Sequence, residues 1–176
     1  MKKIIKNSMM VIVLIIFCSF FLPWITVDSP IAGGFTKLLT GKRQAQISSI
    51  SGFQVPILAN SSESRFMISV IKIFNPTIKD ADKKSFLIWG VPLFAVVLFF
   101  LWSFLGRNKW VNLGIAIVGI TIFSFASFKI ATTNLDKLVL KVNIAYGLWL
   151  ILTGYLLIGL LCLVDFWELC RNERKK

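Results

Sequence analysis

The sequence predicts an all-α membrane protein of four transmembrane helices with a long, partly ordered first outer loop. Three observations predict it. Phe86–Leu105 and Trp110–Phe128 are uncharged runs separated only by Gly106-Arg107-Asn108-Lys109. Each is about as long as a helix must be to cross the hydrocarbon core, and a four-residue connection suits an antiparallel hairpin with its turn in water. Hydrophobic residues make up 56% of the 176, and mean hydropathy is +0.78, which is too apolar for an ordinary soluble domain.

The first span is expected at Met9–Val27, after the basic start Met1–Asn7. A basic start and an apolar run also describe a signal peptide. A cleavage site needs small residues, and Phe20-Phe21-Leu22-Pro23-Trp24 offers bulk, so the segment is expected to be retained. Phe17 likewise argues against lipid attachment at Cys18. Pro23 is expected to loosen the last turn.

Asp28–Ser85 is too long for a simple connection and is expected to hold structure of its own. Gln46–Ile50 and Phe53–Leu58 suggest a short β-hairpin about Ser51-Gly52, since Phe53, Val55 and Ile57 alternate with Gln54 and Pro56. Asn60 followed by Glu63 resembles a capping box. It would open an amphipathic helix over Ser62–Phe74, with Arg65, Ser69 and Lys72 on one stripe and Phe66, Val70 and Phe74 among the apolar remainder. Such a helix lies in a membrane interface or packs on the loop domain.

The second and third spans form the hairpin of residues 86–130. Pro92 in the first part of the second span frees a carbonyl for a neighbouring group. In the third, Asn112, Ala116, Gly119, Phe123 and Ala126 share one face. After a short outer loop at 131–143 comes the fourth span, Ile144–Val164, in a segment taken as 144–166. Its Gly147, Ile151, Gly154, Ile158 and Leu161 form a similar face. Small faces let helices approach closely in lipid, so Gly119, Gly147 and Gly154 are the candidate packing residues, with the third span against the fourth and a homodimer seam as the alternative. Asp165 marks the fourth span's inner end, and 167–176 is a basic tail.

The net charge of +12 comes from Lys and Arg that flank or separate the spans. Anchoring to anionic headgroups explains it better than a nucleic-acid surface, and no nucleic-acid partner is expected. The basic start, Arg107, Lys109, Arg171, Arg174, Lys175 and Lys176 share one side of an even-span topology, which places both termini in the cytoplasm. Trp24, Trp89 and Trp149 would mark one membrane surface and Trp102, Trp110 and Trp167 the other. The Lys-, Ile-, Phe- and Asn-rich composition suggests a bacterial inner membrane.

Histidine is absent and the three cysteines are scattered, which excludes His-based acid–base chemistry and a paired-thiol centre. No catalytic, cofactor-binding or metal-ligating residues are expected. Asn112, Thr121, Ser124, Thr153 and Tyr155 are neutral groups suited to interhelical hydrogen bonds. A large first outer loop and a small second one are similar to the claudin-like layout. Asp28–Ser85 lacks both the Trp-Gly-Leu-Trp motif and the paired cysteines of that family's first loop. The expected function is that of a non-catalytic accessory or scaffold subunit, with the lipid bilayer and a protein partner as its contacts. Phe53, Val55, Phe66, Val70 and Phe74 are the partner-binding candidates. A small transporter or channel component is the alternative, and a membrane-surface lipid-modifying enzyme the weaker one.

Overall fold

The computed structural model describes residues 2–28, 49–59, 85–105, 108–132 and 141–173. The elements in order are α1 (Lys2–Ser19), β1 (Pro23–Asp28), β2 (Ser49–Ser51), α2 (Gln54–Ala59), a 3₁₀ turn (Ser85–Trp89) that runs into α3 (Gly90–Phe104), α4 (Lys109–Thr132), β3 (Lys141–Ile144) and α5 (Tyr146–Glu173). Among the described residues three helical stretches are long and apolar enough to cross a membrane: Ser85–Phe104, Lys109–Thr132 and Tyr146–Glu173. Leu93, Phe100 and Phe104 of α3, Ile117 and Phe125 of α4, and Leu157 and Val164 of α5 point outward. Lipid tails, not water, suit such faces.

The chain forms two compact units. One comprises Met1–Cys18, Val91–Phe128 and Leu150–Lys176, and the other Ser19–Gly90 and Lys129–Trp149.

The helical unit closes around α5. Ile151, Tyr155, Ile158 and Cys162 are buried there, with Ile5, Met9, Ile12 and Ile16 from α1, Ala95, Leu98 and Trp102 from α3, and Ile115 and Ala116 from α4. Helices α4 and α5 run antiparallel, because Lys109 meets Glu173, Asn112 meets Asp165, and Gly119 meets Tyr155. The backbones are close where glycines permit it. A Cβ on Gly119 would stand 2.6 Å from the Tyr155 carbonyl oxygen and 3.1 Å from Gly159 Cα. The Tyr155 hydroxyl donates to the Val91 carbonyl of α3.

The second unit is built on a three-stranded antiparallel sheet of order β2-β1-β3. β1 is central, and Ile25 pairs with Ile50 on one side and Ile144 on the other, so one apolar row crosses the sheet. Burial of an aliphatic side chain such as Ile50, 1% exposed, stabilises by about 1.5–3 kcal/mol. The pairing of β1 with β2 is irregular between Pro23 and Ile25, where a proline that cannot donate a ladder hydrogen bond is tolerated. Gly52 lies against the Trp24 indole so closely that a Cβ there would overlap the ring. Trp24 Nε1 donates to the Ser19 carbonyl at 3.1 Å.

Several sequence expectations are corrected by this structure. The expected first span, Met9–Val27, is a helix only to Ser19, and Pro23–Asp28 is a strand. Proline disfavours helix at the residue before it, and Trp24-Ile25-Thr26-Val27 is rich in strand formers. Phe53–Leu58 is not a strand, because Gln54–Ala59 is helical. Pro56 is its third residue, where an amide proton would have no intrahelical acceptor, and Gln54 Oε1 accepts from the Ser51 amide at 3.1 Å just before the helix. Pro92, expected in the first part of the second span, is the third residue of α3. The fourth apolar run starts as strand β3, and its helix continues to Glu173, so Asp165 lies on a buried helical face within the helix and not at its inner end. Trp110, Trp149 and Trp167 are exposed as interfacial side chains must be, but Trp24 and Trp102 are buried. The expected helix over Ser62–Phe74 lies outside the described residues.

Candidate functional site

In the helical unit, Asn112 and Asp165 are both fully buried, and Asn112 Nδ2 donates to Asp165 Oδ2 at 2.7 Å. Each helix places its residue by simple periodicity. On α4, Asn112, Ala116 and Gly119 are spaced four and three apart, so Asn112 falls on the stripe that faces α5. On α5, Tyr155, Gly159, Cys162 and Asp165 continue the facing stripe toward the C-terminus. The Asn112 amide oxygen is buried with no hydrogen-bond partner among the described residues, and so are Trp102 Nε1 and Ser127 Oγ. Beyond the pair, Lys109 Nζ and Glu173 Oε2 join the same two helices at 2.9 Å, in an exposed position where an ion pair contributes little.

The chemistry open to this cluster is limited. An amide and a carboxylate exchange a strong charge-assisted hydrogen bond but form no nucleophile–base pair. Cys162 is buried, and among the described residues no group of three or more His, Cys, Asp or Glu side chains is placed to hold a metal ion. The arrangement fixes the register of α4 on α5.

In the sheet unit, the rings form a chain. Phe21 meets Phe53 at 5.6 Å between centroids, Phe53 stacks on Trp89 at 5.6 Å and 9°, and Phe86 meets Trp89 edge-on at 5.3 Å. Trp89 Nε1 also donates to the Phe53 carbonyl at 3.2 Å. Short local signals position these groups. The Ser51–Gln54 contact starts α2 immediately after Phe53, and the Phe53 amide donates to the Phe20 carbonyl at 3.2 Å.

Of the partner-binding candidates, Phe53 is exposed within this row of rings and Val55 is buried, while Phe66, Val70 and Phe74 lie outside the described residues. Of the packing candidates, Gly119 faces Tyr155 and Gly159 of α5. Gly154 faces α1, where a Cβ would come within 2.5 Å of Ile16, and Gly147 faces Leu22 and Pro23. The single face assigned to Gly147 and Gly154 therefore does not serve α4. Gly159 does so instead, with Ala116 and Ile120 as neighbours. The sequence reading missed Gly159 and the burial of Asp165. The four-residue step from Tyr155 to Gly159 was the available signal for the first. Comparison with protein-family models, curated proteins and solved structures finds no match.

Proposed function

We propose that this chain is a non-catalytic multi-pass subunit of a membrane complex, with four spans, both termini in the cytoplasm, and a first outer loop that docks a protein partner. One observation carries the reading: the loop is mounted at both flanks. On one flank β2 pairs with β1 and the Ser51 amide donates to Gln54 at the start of α2. On the other, Trp89 is tied to Phe53 by a stacked ring and a hydrogen bond. A passive connection needs no such fixture. The described residues on both flanks, up to Ala59 and from Ser85, are therefore folded, which suits a recognition segment whose binding is not to cost the ordering of its anchors. The fourth span is α1. Ile12 and Ile16 pack against Gly154, and Lys3 and Lys6 near its start can extend toward headgroups.

The partner contacts are assigned to Phe66, Val70 and Phe74. The triple change to Ser is expected to release a co-purifying membrane partner in mild detergent while the protein still inserts. Retention of that partner by an inserted, folded variant would reject the loop as the docking segment.

Asp165 supports a second reading, as a transport component, because a buried carboxylate within packed spanning helices is a functional pointer by default. Ion flux through reconstituted vesicles that is lost in Asp165→Asn would favour it.

A further inference from the structure

Among the described residues of the sheet unit, Phe21, Phe53, Trp89 and Phe86 form a continuous row of rings, and its chain positions say what covers it. Phe86 and Trp89 belong to the first turns of the apolar stretch Ser85–Phe104, one of the three long enough to cross a membrane. A 3₁₀ turn rises about 2 Å per residue, so Trp89 lies about 8 Å along the span from Ser85. That is about the depth, 5–10 Å, at which interfacial helices lie. Phe53 stacks on Trp89 and receives its indole hydrogen bond, so it shares that depth. From Phe53 the chain enters α2, whose Ile57 is 48% exposed.

Charge points the same way. The protein carries 20 Lys and Arg and 8 Asp and Glu, yet residues 19–27, 49–59 and 85–105 contain none of them. A protein-docking patch has a polar rim around its apolar centre. The boundary between headgroups and acyl chains asks instead for aromatic rings on an uncharged surface.

We propose that Phe21, Phe53, Phe86 and Ile57 insert into the lipid interface of the outer leaflet, so that α2 is a membrane-seated anchor for the first outer loop. The bilayer is the partner, and because no charge is involved, seating does not depend on anionic headgroups. This goes beyond the docking role assigned to Phe66, Val70 and Phe74 and does not rest on it.

The test uses the full chain with its three cysteines replaced, reconstituted in phosphatidylcholine nanodiscs. Single cysteines at Ile57, Leu87 and Asn108 carry a nitroxide label. Leu87, 75% exposed in the span's first turns, is the lipid reference, and exposed Asn108 in the connection before α4 is the water reference. Collision with oxygen, which concentrates in lipid, is compared with collision with a water-soluble nickel chelate. The oxygen-to-chelate ratio at Ile57 is expected to match that at Leu87, to exceed that at Asn108 severalfold, and to stay unchanged when anionic lipid is added. A ratio at Ile57 equal to that at Asn108 would overturn the proposal. So would shielding of Ile57 from both reagents, which would mean that protein covers it, or a water-like ratio at Leu87, which would remove the depth argument.

Discussion

Asn112 donates its side-chain amide to the Asp165 carboxylate at 2.7 Å, and neither residue is reached by solvent. The pair joins α4 to α5 across 53 residues of sequence. A carboxylate taken out of water is tolerated only with hydrogen-bond donors around it, so the removal of Asn112 should cost more than one ordinary hydrogen bond. Asn112→Leu is expected to destabilise the protein by about 1.5–3 kcal/mol, the range for hydrogen bonds to charged groups. The exposed Arg171→Gln should change it by less than about 0.5 kcal/mol. Thermal unfolding in detergent checks both, and equal midpoints for the two variants would show that the pair adds nothing to assembly.

The glycines of the helical unit are not equivalent. A Cβ on Gly119 would meet the Tyr155 carbonyl oxygen at 2.6 Å, and backbone cannot rotate away. A Cβ on Gly154 would meet Ile16 Cγ1 at 2.5 Å, a side-chain atom that can adjust its rotamer. Gly119→Ala is therefore expected to lose about 1–3 kcal/mol, the usual cost of overpacking, and Gly154→Ala less. Gly154→Leu exceeds what Ile16 can yield and should harm assembly more than Leu156→Ala. The order of unfolding temperatures among these four variants is the measurement.

Much of the helical architecture was legible because hydrophobic length is a local property. The runs around Phe86–Leu105 and Trp110–Phe128 need no knowledge of their neighbours to be read. What escaped reading depends on partners distant in sequence. Asp165 looks like a span-end charge until Asn112 is placed beside it, and Gly154 looks like part of an α4-facing stripe until α1 takes that side. The central strand was missed for a related reason: Pro23–Asp28 continues an apolar run, and its pairing with Ser49–Ser51 and Lys141–Ile144 makes it a strand. Ser51-Gly52-Phe53-Gln54 was a different case. Ser51 and Gln54 were close enough in sequence to bond, but the alternation of Phe53, Val55 and Ile57 suggested a strand.

Gly52 gives a prediction confined to the sheet unit. A methyl group there would overlap the Trp24 indole, which is buried and held by its bond to the Ser19 carbonyl. Displacement of the indole should also disturb Phe20, whose ring meets Trp24 edge-on at 5.6 Å. Gly52→Ala is expected to speed proteolysis within residues 28–85 severalfold while the yield of membrane-inserted protein stays unchanged. Cleavage at the wild-type rate would show that the contact between Gly52 and Trp24 does not hold the loop.

The four-span topology depends on α1, since the three stretches from Ser85 onward account for the remaining crossings. The uncharged part of α1 after Lys6 runs from Asn7 to Ser19, only about 20 Å at 1.5 Å per residue. The lysines before it must therefore reach the headgroups by extending their chains, which long cationic side chains do readily. If α1 crosses, Lys3 lies on the same side as Asn108 and opposite to Gly41 and Ser62. If α1 does not cross, Lys3 joins Gly41 and Ser62, and Asn108 alone is opposite. Single cysteines at these four positions, in a chain without its own cysteines, separate the cases by labelling with an impermeant thiol reagent in intact cells. The expected outcome is labelling of Gly41→Cys and Ser62→Cys from outside, with Lys3→Cys and Asn108→Cys labelled only after permeabilisation. Labelling of Lys3→Cys from outside would leave α1 as a helix that packs on α5 through Ile12 and Ile16 without spanning the bilayer.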